Sequence, residues 1–277
     1  MVLEAVGIMY ELQQIEGEYA LAVQIEDATR ATEQLRLYAD ENIRRPLPAI
    51  PQKNISNGLI GALLYVALLL VVFDLQHFVS FTHSLTALGR AHAGSIQTGE
   101  WWRTITALTL HKDISHLLGN MIFGALFGVL LSQLLGSGVA WFAILVTGIT
   151  GNVFSGLIKA SHHSAIGAST ATFAALGILA AYTWQRRKHL SHSGLRRWAP
   201  IIAGMALLAL LGGPGEKIDV LSHVTGFVAG ALLGAVLGML GDRLILKRYV
   251  QVTCGMATIA LLSLAWITTI TRTPILL

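Results

Sequence analysis

Charge is scarce in this sequence. Of 277 residues only 12% are Asp, Glu, Lys or Arg, against roughly 25% in an ordinary soluble domain, and a uniformly soluble enzyme is excluded. The shortage is uneven: residues 1–53 hold 14 of the 34 charged side chains, leaving 20 for the other 224 residues. Cysteine occurs once, at Cys254, which excludes an intrachain disulfide and any multi-cysteine metal site. It reads as a small apolar residue in a helix. The start, Met1 to Ala5, lacks the basic segment that opens a secretory signal peptide, so no cleaved leader is expected. The net charge of +4 and the pI near 9.4 would suit a nucleic-acid binder. Basic loops on an integral membrane protein explain them better, and no nucleic-acid partner is expected.

What the chain has in abundance is apolar sequence: 54% hydrophobic residues with 28 glycines and a mean hydropathy of +0.63. A membrane span needs about 20 mostly apolar residues. Seven candidate runs lie near 57–75, 115–135, 139–158, 167–184, 199–213, 219–241 and 250–268, the fourth and fifth being short. The stretch from 76 to 114 mixes Phe78, Phe81, Trp101 and Trp102 with His77, His83, His92 and His111. That composition predicts a structured loop at the membrane interface, where Trp is favoured. Ahead of the first run, Tyr19–Ile25 predicts a strand, and Asp27 a cap for a helix over 28–40 with Ala31, Leu35 and Tyr38 on one face. Such a mini-domain is too small to build much core alone, and no chemistry is visible in it. Arg44 to Pro51 is a Pro-rich linker.

These divisions predict three parts: a polar N-terminal segment and linker at 1–53, a six-span core at 54–241, and a further C-terminal helix at 242–277. The fold class is then all-α, a polytopic membrane helix bundle with a small N-terminal α+β segment. With the N-terminus in the cytoplasm, eleven basic residues flank the cytoplasmic side, Arg44, Arg186, Arg197 and Arg243 among them. Six, including Arg90, Arg103 and Lys159, fall on the other side. That bias favours the N-terminus inside.

Polar groups within apolar spans are costly unless paired or wet, so they mark the places where function is expected. Three clusters share the outer end of their spans in this topology. His116 and Asn120 are spaced i, i+4 and fall on one helix face; they suit either interhelical hydrogen bonding or a pair of donors. Gly167 and Ser169 open the fourth span. A glycine there lets the backbone turn sharply and present the serine at a helix start, where free N–H groups stabilise an anion; a simple N-cap serine is the alternative. His223 sits early in the sixth span, beside Gly226, Gly230 and Gly234. Small residues every fourth position let membrane helices approach closely, with Ala171, Ala174, Ala175 and Gly177 as the facing set. Such packing would bring the Ser169 hydroxyl within about 3 Å of an imidazole nitrogen, the reach of proton transfer. A nucleophile, a base and extra donors at similar depth are the parts of serine acyl transfer.

In order, Glu100-Trp-Trp-Arg103, His116-x-x-x-Asn120, Gly167-x-Ser169 and His223-x-x-Gly226-x-x-x-Gly230 resemble the rhomboid family of intramembrane serine proteases, over roughly residues 57–241. The resemblance implies a six-helix core with an optional seventh helix, and cleavage of transmembrane protein substrates within the lipid bilayer by a Ser–His dyad. It makes Ser169 the nucleophile and His223 the general base, with Asn120, His116 and the Ser169 N–H forming the oxyanion hole. Gly167, Gly226 and Gly230 become close-packing positions. No cofactor and no metal are implied. The family's fifth helix and following loop are implicated in gating, and here that region carries Pro200, Gly204 and Gly212 to Gly215. Thr170 stands where the family usually has glycine, and its β-branched side chain is expected to narrow the site or alter the backbone's approach. For Asp219, one helical turn before His223, a loop-capping role is expected ahead of a contribution to orienting that ring, and His162 and His163 read as solvated loop residues. The alternative function, which Thr170 favours, is a catalytically silent rhomboid-like protein that binds membrane clients; a transporter fits less well, since the spans hold few intramembrane carboxylates and no evident inverted repeat. The expected location is a bacterial inner membrane.

Overall fold

The computed structural model describes residues 2–15, 18–42, 58–78, 84–187, 194–211, 219–240 and 245–272. The Pro-rich stretch 44–51, the glycine-rich stretch 212–215 and several flanking basic residues, Arg243 among them, lie outside the described residues. The chain divides into two compact units, Met1–Gln52 and Lys53–Leu277.

The first unit runs α1 (Val2–Ala5), β1 (Tyr10–Ile15), β2 (Glu18–Val23) and α2 (Ala28–Asn42). The two strands form an antiparallel hairpin with Leu12 opposite Leu21. Leu3, Ile8 and Ala31 form its small core, with Tyr10, Leu21 and Leu35 packed around them. The strand expected through Ile25 stops at Val23, because Ile25–Asp27 tightens into a 3₁₀ turn that leaves Ile25 exposed. Asp27 belongs to that turn and runs straight into α2. Ala31 and Leu35 pack inward as their spacing predicts, whereas Tyr38 is half exposed.

The second unit is an α-helical bundle. Its elements are α3 (Leu59–Phe78), α4 (Leu85–Gly89), β3 (Ala91–His92), α5 (Ala93–Gln97), α6 (Arg103–Thr106), α7 (Ile114–Leu135), α8 (Ser137–Ile158), β4 (Ser164–Ala165), α9 (Ser169–Arg187), α10 (Gly194–Leu211), α11 (Val220–Met239) and α12 (Arg248–Arg272). Five of these, α3, α7, α8, α11 and α12, are long and apolar enough to cross a membrane. Helix α9 is less apolar than these because it is walled in by α7, α8, α10 and α11. Nearly every side chain from Ala168 to Tyr182 is buried against protein, so hydroxyl and small side chains replace lipid-facing ones.

The α9–α11 contact is the tightest in the bundle. A Cβ at Gly226, Gly230 or Gly234 would fall inside van der Waals contact with the carbonyl oxygens of Thr170, Ala174 and Ile178 in turn. Gly177 is pressed in the same way against the Phe227 carbonyl. The two backbones therefore touch directly along three turns, which is what a glycine every fourth residue permits. This seam brings the start of α9 to the start of α11.

Between α3 and α7 the chain folds into the short helices α4 to α6. Arg103 pairs with Glu100 and donates to the carbonyls of Ala87 and Arg90, tying α6 to the end of α4. Strand β3 pairs with β4, and the Gly94 N–H donates to the Ser161 carbonyl. The loop leading to Ser169 is thus anchored on both sides. At the opposite end of α8, Gln251 of α12 donates to the Leu135 carbonyl and accepts the N–H groups of Gly138 and Val139. One side chain satisfies groups left open by two helix ends at the α7–α8 turn.

Candidate active site

Ser169 is the first residue of α9. Its position depends on Gly167, whose φ of +132° strains any residue with a side chain. A Cβ at Gly167 would also collide with the His116 ring. Gly167, expected to serve close helix packing, is a packing position against an imidazole, whereas Gly226 and Gly230 lie on the helix seam. The Gly167 N–H donates to the Ala107 carbonyl at 2.9 Å, and the Ala168 N–H to Nε2 of His111 at 3.3 Å. The turn before the serine is therefore held from outside, and the helix that follows starts at a fixed angle.

His223 lies in the first turn of α11, one turn after Asp219. Its Nε2 is 2.9 Å from the Ser169 Oγ. The ring is nearly buried and packs on Phe173, centroids 4.4 Å apart. Its Nδ1 is buried and has no hydrogen-bond partner among the described residues. If Nε2 accepts from the serine, the proton resides on Nδ1; the ring is then oriented by packing and by its helix.

His116 and Asn120 of α7 line the same cavity of about 720 Å³ as Ser169 and His223, with Phe123 and Phe127 on its apolar side. Asp113 caps α7 by accepting the His116 N–H at 2.8 Å. The Ser115 hydroxyl, followed by this N–H, holds the Asp113 carboxyl below its usual range. Asn120 uses one N–H of its amide on the His116 carbonyl at 2.9 Å; an amide carries two. The Tyr65 hydroxyl donates to the Asn120 backbone carbonyl at 2.9 Å and fixes that turn.

Two expectations need correction. Thr170 does not narrow the cavity: it is buried, and its methyl group packs against Gly151 of α8 and Gly226 of α11. Residue 170 lies one step round the helix from Ser169 and faces the bundle interior. His163 is not a free loop residue either. Its Nε2 lies 2.8 Å from Lys159 Nζ and 3.0 Å from Asp219 Oδ2, and Lys159 pairs with Asp219 Oδ1. The loop is anchored by strand pairing, which turns His163 inward while His162 stays exposed. Asp219 caps α11 through the Ser222 N–H at 3.1 Å. Burial alone would raise its pKa, but Lys159, Ser222 and His163 outweigh burial and lower it to about 2.

His111 is a part of the site that sequence reasoning treated only as interface composition. It is fully buried, its ring centroid 5.2 Å from that of His116. Burial, and then the neighbouring His116, push its pKa down to about 4, so it is a neutral acceptor for the turn before Ser169. The available signal was a histidine ending the apolar run Ala107–Leu110, five residues before His116.

A polytopic bundle that seats a serine and a histidine at the starts of two touching helices defines a class of membrane protein. The family model for the Rhomboid domain matches residues 98–240, and the chain belongs to the rhomboid family. It is 31% identical over 180 residues to the rhomboid protease GluP of Bacillus subtilis, covering 64% of this chain and 34% of that protein. To the rhomboid-like protease 3 of Toxoplasma gondii it is 31% identical over 150 residues, 54% of this chain and 57% of the relative. To the chloroplastic rhomboid-like protein 11 of Arabidopsis thaliana it is 29% identical over 144 residues, 50% and 51% of the two chains. The chain therefore spans about a third to somewhat over half the length of these curated relatives.

Proposed function

We propose that this chain is an intramembrane serine endopeptidase that cleaves transmembrane protein substrates. The observation that carries the reading is the 2.9 Å contact between Ser169 Oγ and His223 Nε2 at the wall of a cavity shared with Asn120 and His116. Ser169 attacks the scissile carbonyl carbon as His223 Nε2 takes its proton. The resulting oxyanion is held by the Asn120 amide, the His116 ring and the Ser169 N–H. In comparable sites one such donor is worth about 2.7–4 kcal/mol. Collapse expels the amine, which receives its proton from His223 and leaves an acyl-Ser169 ester. A water then gives a proton to Nε2 and attacks the ester, releasing the acid as the proton returns to Ser169. No acid is needed beside His223, since burial and Phe173 hold the ring.

The same reading assigns residues 54–241 to a six-span core, with α9 and α10 as its two short spans, and 242–277 to an additional helix. It puts the N-terminus in the cytoplasm of a bacterium, and it gives α10 the gate. That helix rests on α9 through Gly204 and Ala180, carries Pro200, and leaves Ile202 and Met205 exposed. The silent client-binding alternative drew its support from Thr170, and that side chain faces away from the cavity.

The decisive experiment incubates detergent-purified protein with a transmembrane substrate and compares wild type with Ser169→Ala. Cleavage by wild type alone, with labelling of Ser169 by an activity-based serine probe, supports the protease. A folded wild type that neither cleaves nor labels supports client binding.

A further inference from the structure

Resting on the protease reading, we infer that Asp219, clamped by Lys159 and His163, is the positioning residue for the His223 base. The three side chains join two segments that are remote in sequence. Lys159 caps the end of α8, His163 lies in the loop delivering Ser169, and Asp219 opens the helix carrying His223. Lys159 and Asp219 are mostly shielded from solvent, and His163 is one-third exposed. Asp219 divides its work between its two oxygens. Oδ1 takes Lys159 and the Ser222 N–H, while Oδ2 faces His163. The Asp219 carbonyl also accepts the His223 N–H at 3.2 Å.

The reason such a clamp matters is that His223 Nδ1 is buried with no hydrogen-bond partner among the described residues. In a triad an acid grips the second ring nitrogen and sets the ring's direction. Here no described residue grips it, so the ring's direction depends on its packing against Phe173 and on the placement of its helix turn. That turn is fixed by the Asp219 cap, by the Ser222 hydroxyl donating to Ser155 of α8 at 2.8 Å, and by the contacts of Asp219 with Lys159 and His163 that tie it to the Ser169 loop. A displacement of about 1 Å between reacting groups can cost a hundredfold in rate. Asp219 thus acts through His223 and needs no contact with substrate.

Three variants test this in the full-length protein: Asp219→Ala, Asp219→Asn and Lys159→Met. Each is assayed for kcat and KM on a transmembrane substrate, for the rate of Ser169 labelling by a fluorophosphonate, and by ¹⁵N-imidazole NMR of His223. Asp219→Ala should lower kcat and labelling about tenfold or more with KM near wild type. Its His223 Nε2 resonance should move toward that of Ser169→Ala, which lacks the hydrogen bond. Asp219→Asn keeps an acceptor for the Ser222 N–H and should recover part of the loss, and Lys159→Met should fall between. Unchanged kcat and an unchanged His223 signal in Asp219→Ala overturn the inference, as does a loss confined to KM. Should Asp219→Ala not fold, wild-type kcat and signal in the other two variants overturn it equally. Absence of turnover by wild type would end the protease reading, and the NMR comparison would still decide this one.

Discussion

The methyl group of Thr170 occupies the notch that Gly151 leaves in α8, with the Gly226 backbone on its other side. The residue after Ser169 is therefore a bundle-packing residue. It couples α8, α9 and α11 at the level of the Ser–His pair, and its bulk is taken up by two glycines. A β-branched residue here is tolerated because the neighbours are bare, which has consequences for how the position responds to change.

Thr170→Gly should leave kcat within about twofold of wild type while lowering the melting temperature. Glycine costs about 1 kcal/mol in a helix relative to alanine, and the methyl's packing is lost as well. Gly151→Ala should be worse, because its Cβ would meet both the Thr170 methyl and the Gly226 backbone. Thermal unfolding with parallel kinetics checks both. A large gain in kcat on Thr170→Gly would return this side chain to the cavity.

Ser169→Ala and His223→Ala should each reduce cleavage by about a thousandfold or more, and the double variant should be little worse, because nucleophile and base act as a unit. Additive losses measured on folded protein would argue against a dyad.

Asn120→Ala should lower kcat by about a hundredfold with a smaller effect on KM, since its donor is worth most when charge develops on the carbonyl oxygen. The kcat–KM split is the measurement. An effect on KM alone would make Asn120 a substrate contact or a packing residue.

Stability should fall as pH drops from about 6.5 to about 4, partly through His111. A histidine of the unfolded chain takes up its proton near 6.5, while the buried ring resists until about 4. Across that window the unfolded state binds more protons, and stability is lost by up to about 3 kcal/mol. Asp219 acts lower: its contribution is present above about 3.9 and is lost as pH falls through about 2. Melting temperatures of wild type and His111→Phe, measured from pH 7.5 to 4, should converge as pH falls. Parallel curves would show that His111 does not carry this dependence.

Gln251→Ala should destabilise the bundle by about 2–4 kcal/mol, because the Leu135 and Ile245 carbonyls and the Gly138 and Val139 N–H groups lose one shared partner. Turnover below the new melting temperature should survive, as the site is at the far end of α8. Denaturation monitored by tryptophan fluorescence reads the first outcome and the substrate assay the second.

The helical bundle was legible in the sequence because lipid imposes a one-dimensional rule: a span must be apolar for its whole length, and such runs are visible without neighbours. Periodicity likewise put His116 and Asn120 on one face and marked the Gly226, Gly230, Gly234 stripe, since spacing along a helix is a local property. The N-terminal strand and helix were read with shifted ends, and the partner strand Tyr10–Ile15 was missed because its apolar alternation is weak.

Which side chain meets which was a different matter. Ser169 and His223 are 54 residues apart, and it is the contact of two glycine-notched backbones that brings their helix starts together. The direction of Thr170, the inward turn of His163 toward Lys159 and Asp219, and the neutral buried His111 beneath Ala168 all depend on elements distant in the chain. A residue's type and spacing determine which face of its own helix it occupies, whereas burial, charge pairing and proton position are properties of the space that other helices enclose.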